Sequence, residues 1–160
     1  MIKNYLMLMI ESLDKTNQIL DSIIEKNEEQ TKLLKSPDFT FEKFDENAEQ
    51  KGELIDKLLK LDEGFDGIFR KIEPELSSPE GKAAYAKEIQ EMQTKIRLAT
   101  DKRVNIETTE LRNKKLIEQR FADARAELKN KGQHSKAALN YYKSMNRVNY
   151  VDPQFLDHKH

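Results

Sequence analysis

The residues able to carry chemistry are few in kind. Cysteine is absent and the three histidines are His134, His158 and His160. None of them falls in an H-E-x-x-H pattern or in an i,i+4 pair on an expected helix, the arrangement that brings two imidazoles onto one zinc ion. Without cysteine there is no thiolate zinc site, no thiol nucleophile and no disulfide, a composition that suits a reducing cytoplasm. The sequence has no G-x-x-x-x-G-K-[ST], no G-x-G-x-x-G and no G-x-S-x-G, so phosphate cradles and nucleophile elbows have no foothold. Adjacent carboxylates occur, such as Glu28-Glu29 and Asp62-Glu63. General acid–base work needs such groups in a water-excluding pocket that shifts their pKa, and on amphipathic helices they read as solvated faces. An enzyme would require a buried cluster of polar residues, which the sequence gives no reason to expect. Neither catalysis nor a cofactor is therefore expected.

Nucleic acid is a poor fit as well. The formal net charge is -1, but residues 1–80 hold 11 Lys and Arg against 19 Asp and Glu, while residues 81–160 hold 17 against 10. The halves are opposite in sign, which favours one packing against the other. The basic residues are interleaved with acidic ones, so no continuous phosphate-tracking stripe forms. Tyr141, Tyr142 and Phe155 have faces on which bases stack, but their Met, Leu and Val neighbours suit contact with protein.

The elements that must position these residues are helices. A chain of 160 residues that is 36% charged and 37% hydrophobic, with five Gly, four Pro and no Trp, has the balance of long helices or coiled coils. Leu6, Met9, Leu13, Leu20, Ile23 and Leu34 recur at helical spacing over about 3–35, and the same rhythm passes through Thr16, Asn27 and Gln30. Polar residues in such a seam fix helix register at some cost in stability. Ser36-Pro37-Asp38 ends this helix. The apolar run Tyr5–Ile10 lacks a basic leader and a cleavage site and reads as helix rather than signal peptide. No stretch approaches the roughly 20 apolar residues of a membrane span, so insertion is not expected.

The second helix starts with Thr40 as N-cap and with Phe39 and Phe44 placed as a hydrophobic staple. Its stripe is Leu54, Leu58, Leu61, Phe65, Ile68 and Ile72; Gly64 and Gly67 suggest a kink, and Pro74 and Pro79 are expected to bound a short connection. Ser78 with Pro79 then starts a third helix, running over about 79–131 along Tyr85, Ile89, Met92, Ile96, Ala99, Ile106, Ile117, Ala124 and Leu128. That seam passes through Arg103, Glu110 and Asn113, so its middle is weakly apolar. Gly132 closes it. Ser135 caps a short helix through about Met145 carrying Ala138, Tyr141, Tyr142 and Met145, followed by Val148, Tyr150, Val151, Phe155 and Leu156 around Asp152-Pro153. The expected architecture is all-α: an elongated antiparallel bundle or coiled coil of about three long helices over 1–132, with a short amphipathic helix and partly flexible tail over 133–160.

Three local patterns carry a resemblance: Lys51-Gly52-Glu53-Leu54-Ile55 leading to Leu61-Asp62, Asn113-Lys114-Lys115-Leu116-Ile117, and Asn140-Tyr141-Tyr142. With the order of helices, they make the chain resemble the FlgN family of flagellar type III export chaperones. The resemblance implies a cytoplasmic chaperone that binds the C-terminal helices of hook-associated (hook–filament junction) proteins, prevents premature assembly and delivers them to the export gate. It also implies that clients sit on the end of the long helix and on the C-terminal helix, with Tyr142 or Tyr141 contacting the gate. A client helix can lay its apolar face in a groove at i, i+3, i+4 and i+7 anchors, and the candidate contacts are Leu116, Ile117, Phe121 and Leu128 with Leu139, Tyr142, Met145 and Phe155. The alternatives are a chaperone for the filament cap protein, or a structural coiled-coil oligomerisation module; a homodimer is left open.

Overall fold

The computed structural model describes residues 1–127, which form an all-α bundle. Helix α1 is Ile2–Lys35, α2 is Phe41–Ser77, α3 is the short Pro79–Ala84 and α4 is Ala86–Glu127. Leu128, Leu139, Tyr141, Tyr142, Met145 and Phe155, and the boundary at 132–133, lie outside the described residues.

Helix α1 is the common partner, packed along its length against both α2 and α4. The tight Ser36–Thr40 connection turns the chain back so that α2 runs antiparallel to α1, and α4 returns parallel to α1. Three apolar clusters stack along the bundle. At one end Leu6, Met9 and Leu13 meet Phe65, Ile72 and Leu76 of α2 and Met92 and Ile96 of α4. In the middle Leu20 and Ile23 meet Ile55, Leu58, Ala99 and Ile106. At the far end Leu34 meets Phe44, Ala48 and Ile117. The polar seam residues Thr16, Asn27 and Gln30 of α1 and Glu110 and Asn113 of α4 are all buried, as the spacing requires.

Caps stand where the sequence puts them. Thr40 Oγ1 accepts from the backbone N–H of Lys43 at 3.2 Å, and Phe39 and Phe44 belong to the same apolar cluster. At the C-terminus of α1, Arg120 of α4 donates from Nε and Nη2 to the Leu34 carbonyl at 3.0 and 2.8 Å and from Nη2 to the Ser36 carbonyl at 2.7 Å. A cation on these orphan carbonyls also suits the negative end of the helix dipole.

One expectation changes, the end of α2 at Pro74, and the continuity of the third helix, which the sequence leaves open, is decided. Helix α2 passes through Gly64 and Gly67 without a break, and it also passes through Pro74, ending only at Ser77. An interior proline removes one backbone hydrogen bond and costs about 3 kcal/mol. Here Ile72 and Leu76, both buried on either side of an exposed Pro74, hold the helix together across it. The third expected helix is interrupted instead at Tyr85, whose φ of -116° and ψ of 25° separate α3 from α4.

The break follows from how α3 is tucked in. Ser78 Oγ accepts from the Gly81 N–H at 3.0 Å and donates to the Glu75 carbonyl at 2.7 Å, which pulls the first turn of α3 onto the last turn of α2. A Cβ on Gly81 would lie 1.9 Å from the Glu75 carbonyl oxygen, so no other residue fits without moving backbone. Around Gly64, by contrast, the space is open. Gly81→Ala is therefore expected to lower stability by about 1–3 kcal/mol through overpacking, whereas Gly64→Ala raises it by about 1 kcal/mol through helix propensity. Urea denaturation of the two variants beside the parent chain checks both signs.

Candidate partner-binding surfaces and the buried polar layer

Between the middle and far apolar clusters lies a layer of polar side chains drawn from all three long helices. Its centre is Lys51 of α2, whose Nζ donates to Glu110 Oε1 of α4 at 2.7 Å and to Asn27 Oδ1 of α1 at 2.8 Å, with Gln30 Oε1 at 3.3 Å. Gln30 Nε2 donates to Asn47 Oδ1 at 2.9 Å, and Asn113 Nδ2 donates to Gln30 Oε1 at 3.0 Å and to the Asn27 carbonyl at 3.1 Å. Thr31 Oγ1 closes the far side on Asn113 Oδ1 at 2.7 Å. Side chains of Lys51 and Glu110 are 1% and 2% exposed.

Asn27, Gln30, Glu110 and Asn113 lie at the seam positions their spacing marks, and Lys51 and Asn47 join them in a buried polar cluster. Burial lowers the Lys51 pKa from 10.5 to about 8, and the attraction of Glu110 and its hydrogen bond oppose that shift. A second, shallower layer pairs Arg103 Nη2 of α4 with Asp62 Oδ1 of α2 at 2.8 Å. Burial raises the Asp62 pKa, and the Arg103 guanidinium partly offsets it.

The expected contact residues on α4 separate by position. Ile117 is fully buried against Leu34, Phe44 and Ala48; it belongs to the core and presents no surface, because its face of α4 points at α1. Leu116 and Phe121 are half-buried at the edge of that cluster. Phe121 stacks on Phe41 with centroids 5.4 Å apart, Phe41 meets Phe39 edge-on at 5.1 Å, and the Arg120 guanidinium lies 4.5 Å over the Phe39 ring. Beyond Phe121 the end of α4 is largely exposed, at Ala122, Asp123, Arg125, Ala126 and Glu127.

At the opposite end of the bundle is a surface that sequence reasoning missed. A cleft of about 550 Å³ lies between α2 and α4, with Met9 of α1 among its lining residues. Phe65, Phe69 and Leu76 line it from α2, and Ile89, Met92 and Ile96 from α4. Ser77, Lys82, Gln90 and Gln93 lie exposed at its rim. Met9, Phe65, Leu76, Met92 and Ile96 are buried around it and Phe69 and Ile89 half-buried; periodicity marks these apolar residues as helix faces and carries no signal of a gap between α2 and α4.

Among the described residues no group of three or more His, Cys, Asp or Glu is placed to hold a metal ion, and no helix is long and apolar enough to cross a membrane. No family model, curated protein or solved structure matches the chain.

Two measurements test the polar layer. Lys51→Met, which leaves Glu110 buried without its cation, is expected to cost about 3–5 kcal/mol, and Lys51→Met with Glu110→Leu to recover most of that loss; a double-mutant cycle by denaturation reads the coupling. The lowered pKa also has a sign. Between about pH 8 and 10.5 the unfolded chain binds a proton at Lys51 that the native chain has released, so stability rises with pH across that window. Urea midpoints of the parent chain, referred to those of Lys51→Met, should rise from pH 8 to 10.5.

Proposed function

We propose that this chain is a cytoplasmic export chaperone of the flagellar type III class, which holds the C-terminal helices of hook–filament junction proteins until they reach the export gate. The observation that supports the reading is the overhang of α4. The helix continues about 9 Å beyond Phe121 at 1.5 Å per residue, past the last packed aromatic, and leads directly into the segment that holds Leu128, Leu139, Tyr141, Tyr142, Met145 and Phe155. Apart from the exposed Met7 and Leu8 of α1, the large apolar residues of α1 and α2 are buried or half-buried in the bundle, and the sequence that follows α4 adds further large apolar residues to the end that carries the half-buried Leu116 and Phe121.

Such an arrangement suits a binder rather than a scaffold. A folded base holds its own register, and an adjoining apolar segment offers contacts to a client's amphipathic helix. The free energy of ordering offsets part of the contact energy and keeps the complex releasable. Tyr142 or Tyr141 remains the proposed contact with the gate.

Light-scattering chromatography tests the reading, with the full chain and a 1–134 truncation each mixed with C-terminal fragments of the junction proteins and of the filament cap protein from the same organism. The expected result is a complex with a junction fragment that the truncation weakens at least tenfold, about 1.4 kcal/mol, with the helical circular dichroism of residues 1–127 retained. Binding only to the cap fragment reassigns the client. Binding to neither, together with a stable oligomer of the chain alone, overturns the chaperone reading in favour of a coiled-coil module.

A further inference from the structure

We propose that the outward face of α4 pairs with the same face of a second copy of this chain, the two helices running antiparallel about a two-fold axis at residues 107 and 108. Two exposed rows run along that face at seven-residue spacing: Arg97, Val104, Leu111 and Glu118, and beside them Asp101, Thr108 and Lys115. Arg97, Val104 and Leu111 each stand two positions, about 200° of helix, from the buried row Ala99, Ile106 and Asn113. The face therefore points away from α1 and α2, and two bundles stay clear of each other when they meet on it. Val104 and Leu111 are 57% and 52% exposed there.

The order of residue types names the occupant. The first row reads cation, apolar, apolar, anion, and reversed it is its own complement. Laid antiparallel, Arg97 of one copy comes beside Glu118 of the second and Val104 beside Leu111; in the other row Asp101 comes beside Lys115 and Thr108 beside Thr108. The centres agree, midway between 104 and 111 in one row and at 108 in the other, so a single axis serves both. A parallel copy would set Arg97 on Arg97 and Glu118 on Glu118, which fixes the direction as well. The charges are also available. Elsewhere on α4, Lys95 pairs with Asp14, Lys102 with Asp21 and Arg103 with Asp62, but Arg97, Asp101, Lys115 and Glu118 have no ion pair among the described residues. Near the axis Glu107 approaches its own copy, a like-charged meeting that holds the affinity down. From Arg97 to Glu118 the contact is about 32 Å long at 1.5 Å per residue, with two apolar side chains from each copy. Such an interface belongs to the small, reversible class, with a dissociation constant on the order of 10 μM. The pairing does not rest on the client reading above, and its test needs no client.

Sedimentation equilibrium of the full chain, up to about 200 μM and so roughly twentyfold above the expected dissociation constant, reads the dimer directly. Leu111→Asp, at an exposed position, is expected to keep the helical circular dichroism and to weaken the dimer about tenfold or more. Arg97→Glu and Glu118→Arg each set like charges together at both ends of the contact, and each is expected to weaken it about tenfold. In an equimolar mixture of those two variants opposite charges face each other again at both ends, and the parent affinity is expected to return. Glu107→Gln should tighten the dimer about twofold. A monomer throughout the range overturns the proposal. So does a dimer indifferent to Leu111→Asp, which would place the contact elsewhere, or a mixture that associates no better than its components, which would rule out the antiparallel pairing. Loss of junction-fragment binding on Leu111→Asp with self-association unchanged gives the face to another protein and overturns it as well.

Discussion

The contact on which the bundle depends is the ion pair of Lys51 and Glu110. Removing two charges from water costs several kcal/mol for each, and their attraction repays it only when the remaining donors and acceptors are also met. Lys51 meets that condition with Asn27, Gln30 and Glu110 around one ammonium. A leucine-rich seam by itself tolerates sliding, because one apolar layer resembles the next. Moving α4 by a single turn, about 5.4 Å, would leave Lys51 and Glu110 each buried without the other. The polar layer therefore selects one register out of several that apolar packing alone would accept, and it does so for all three long helices at once.

With that register set, the two ends of the molecule diverge. Toward the α1–α2 connection the helices are tied by Arg120 on the carbonyls of α1 and by the Phe39, Phe41 and Phe121 rings. Toward α3, helices α2 and α4 each stay against α1 but part from each other, and Gly81 lets α3 lie tightly on the end of α2 without filling the gap. One end is closed and prolonged by the overhang of α4; the other carries an apolar recess.

Much of this was legible in the residues. The 3,4 spacing located α1 and α2, Thr40 and Ser78 marked starts, and Thr16, Asn27, Gln30, Glu110 and Asn113 lay in the seam by count and are buried in fact. Lys51 escaped because a lysine reads as surface in any polarity pattern, although it stands three residues from Ala48 and four from Ile55 on one face, both buried. The passage of α2 through Pro74 and the break at Tyr85 were hidden for a related reason: each is decided by tertiary anchoring, through Ile72 and Leu76 in one case and Gly81 on Glu75 in the other. Ile117 shows the limit for sites. Its apolar character is plain, but whether an apolar residue faces the core or a partner depends on how neighbouring helices are rotated. The cleft is the extreme case, since a gap between helices leaves no trace in either helix's own sequence.

The placement of α1 also sets an order of events during synthesis. The sequence of α1 and α2 is complete once residue 77 has left the ribosome, and Lys51 then has its amide partners Asn27 and Gln30 in the emerged chain but no counter-charge. Glu110 emerges 33 residues later. At about 5–20 residues per second, the nascent hairpin spends a few seconds with one flank of α1 bare and a lysine awaiting its carboxylate. Burying an ammonium without its carboxylate costs several kcal/mol, so the charge that fixes the register in the finished bundle also disfavours covering that flank of α1 before Glu110 arrives.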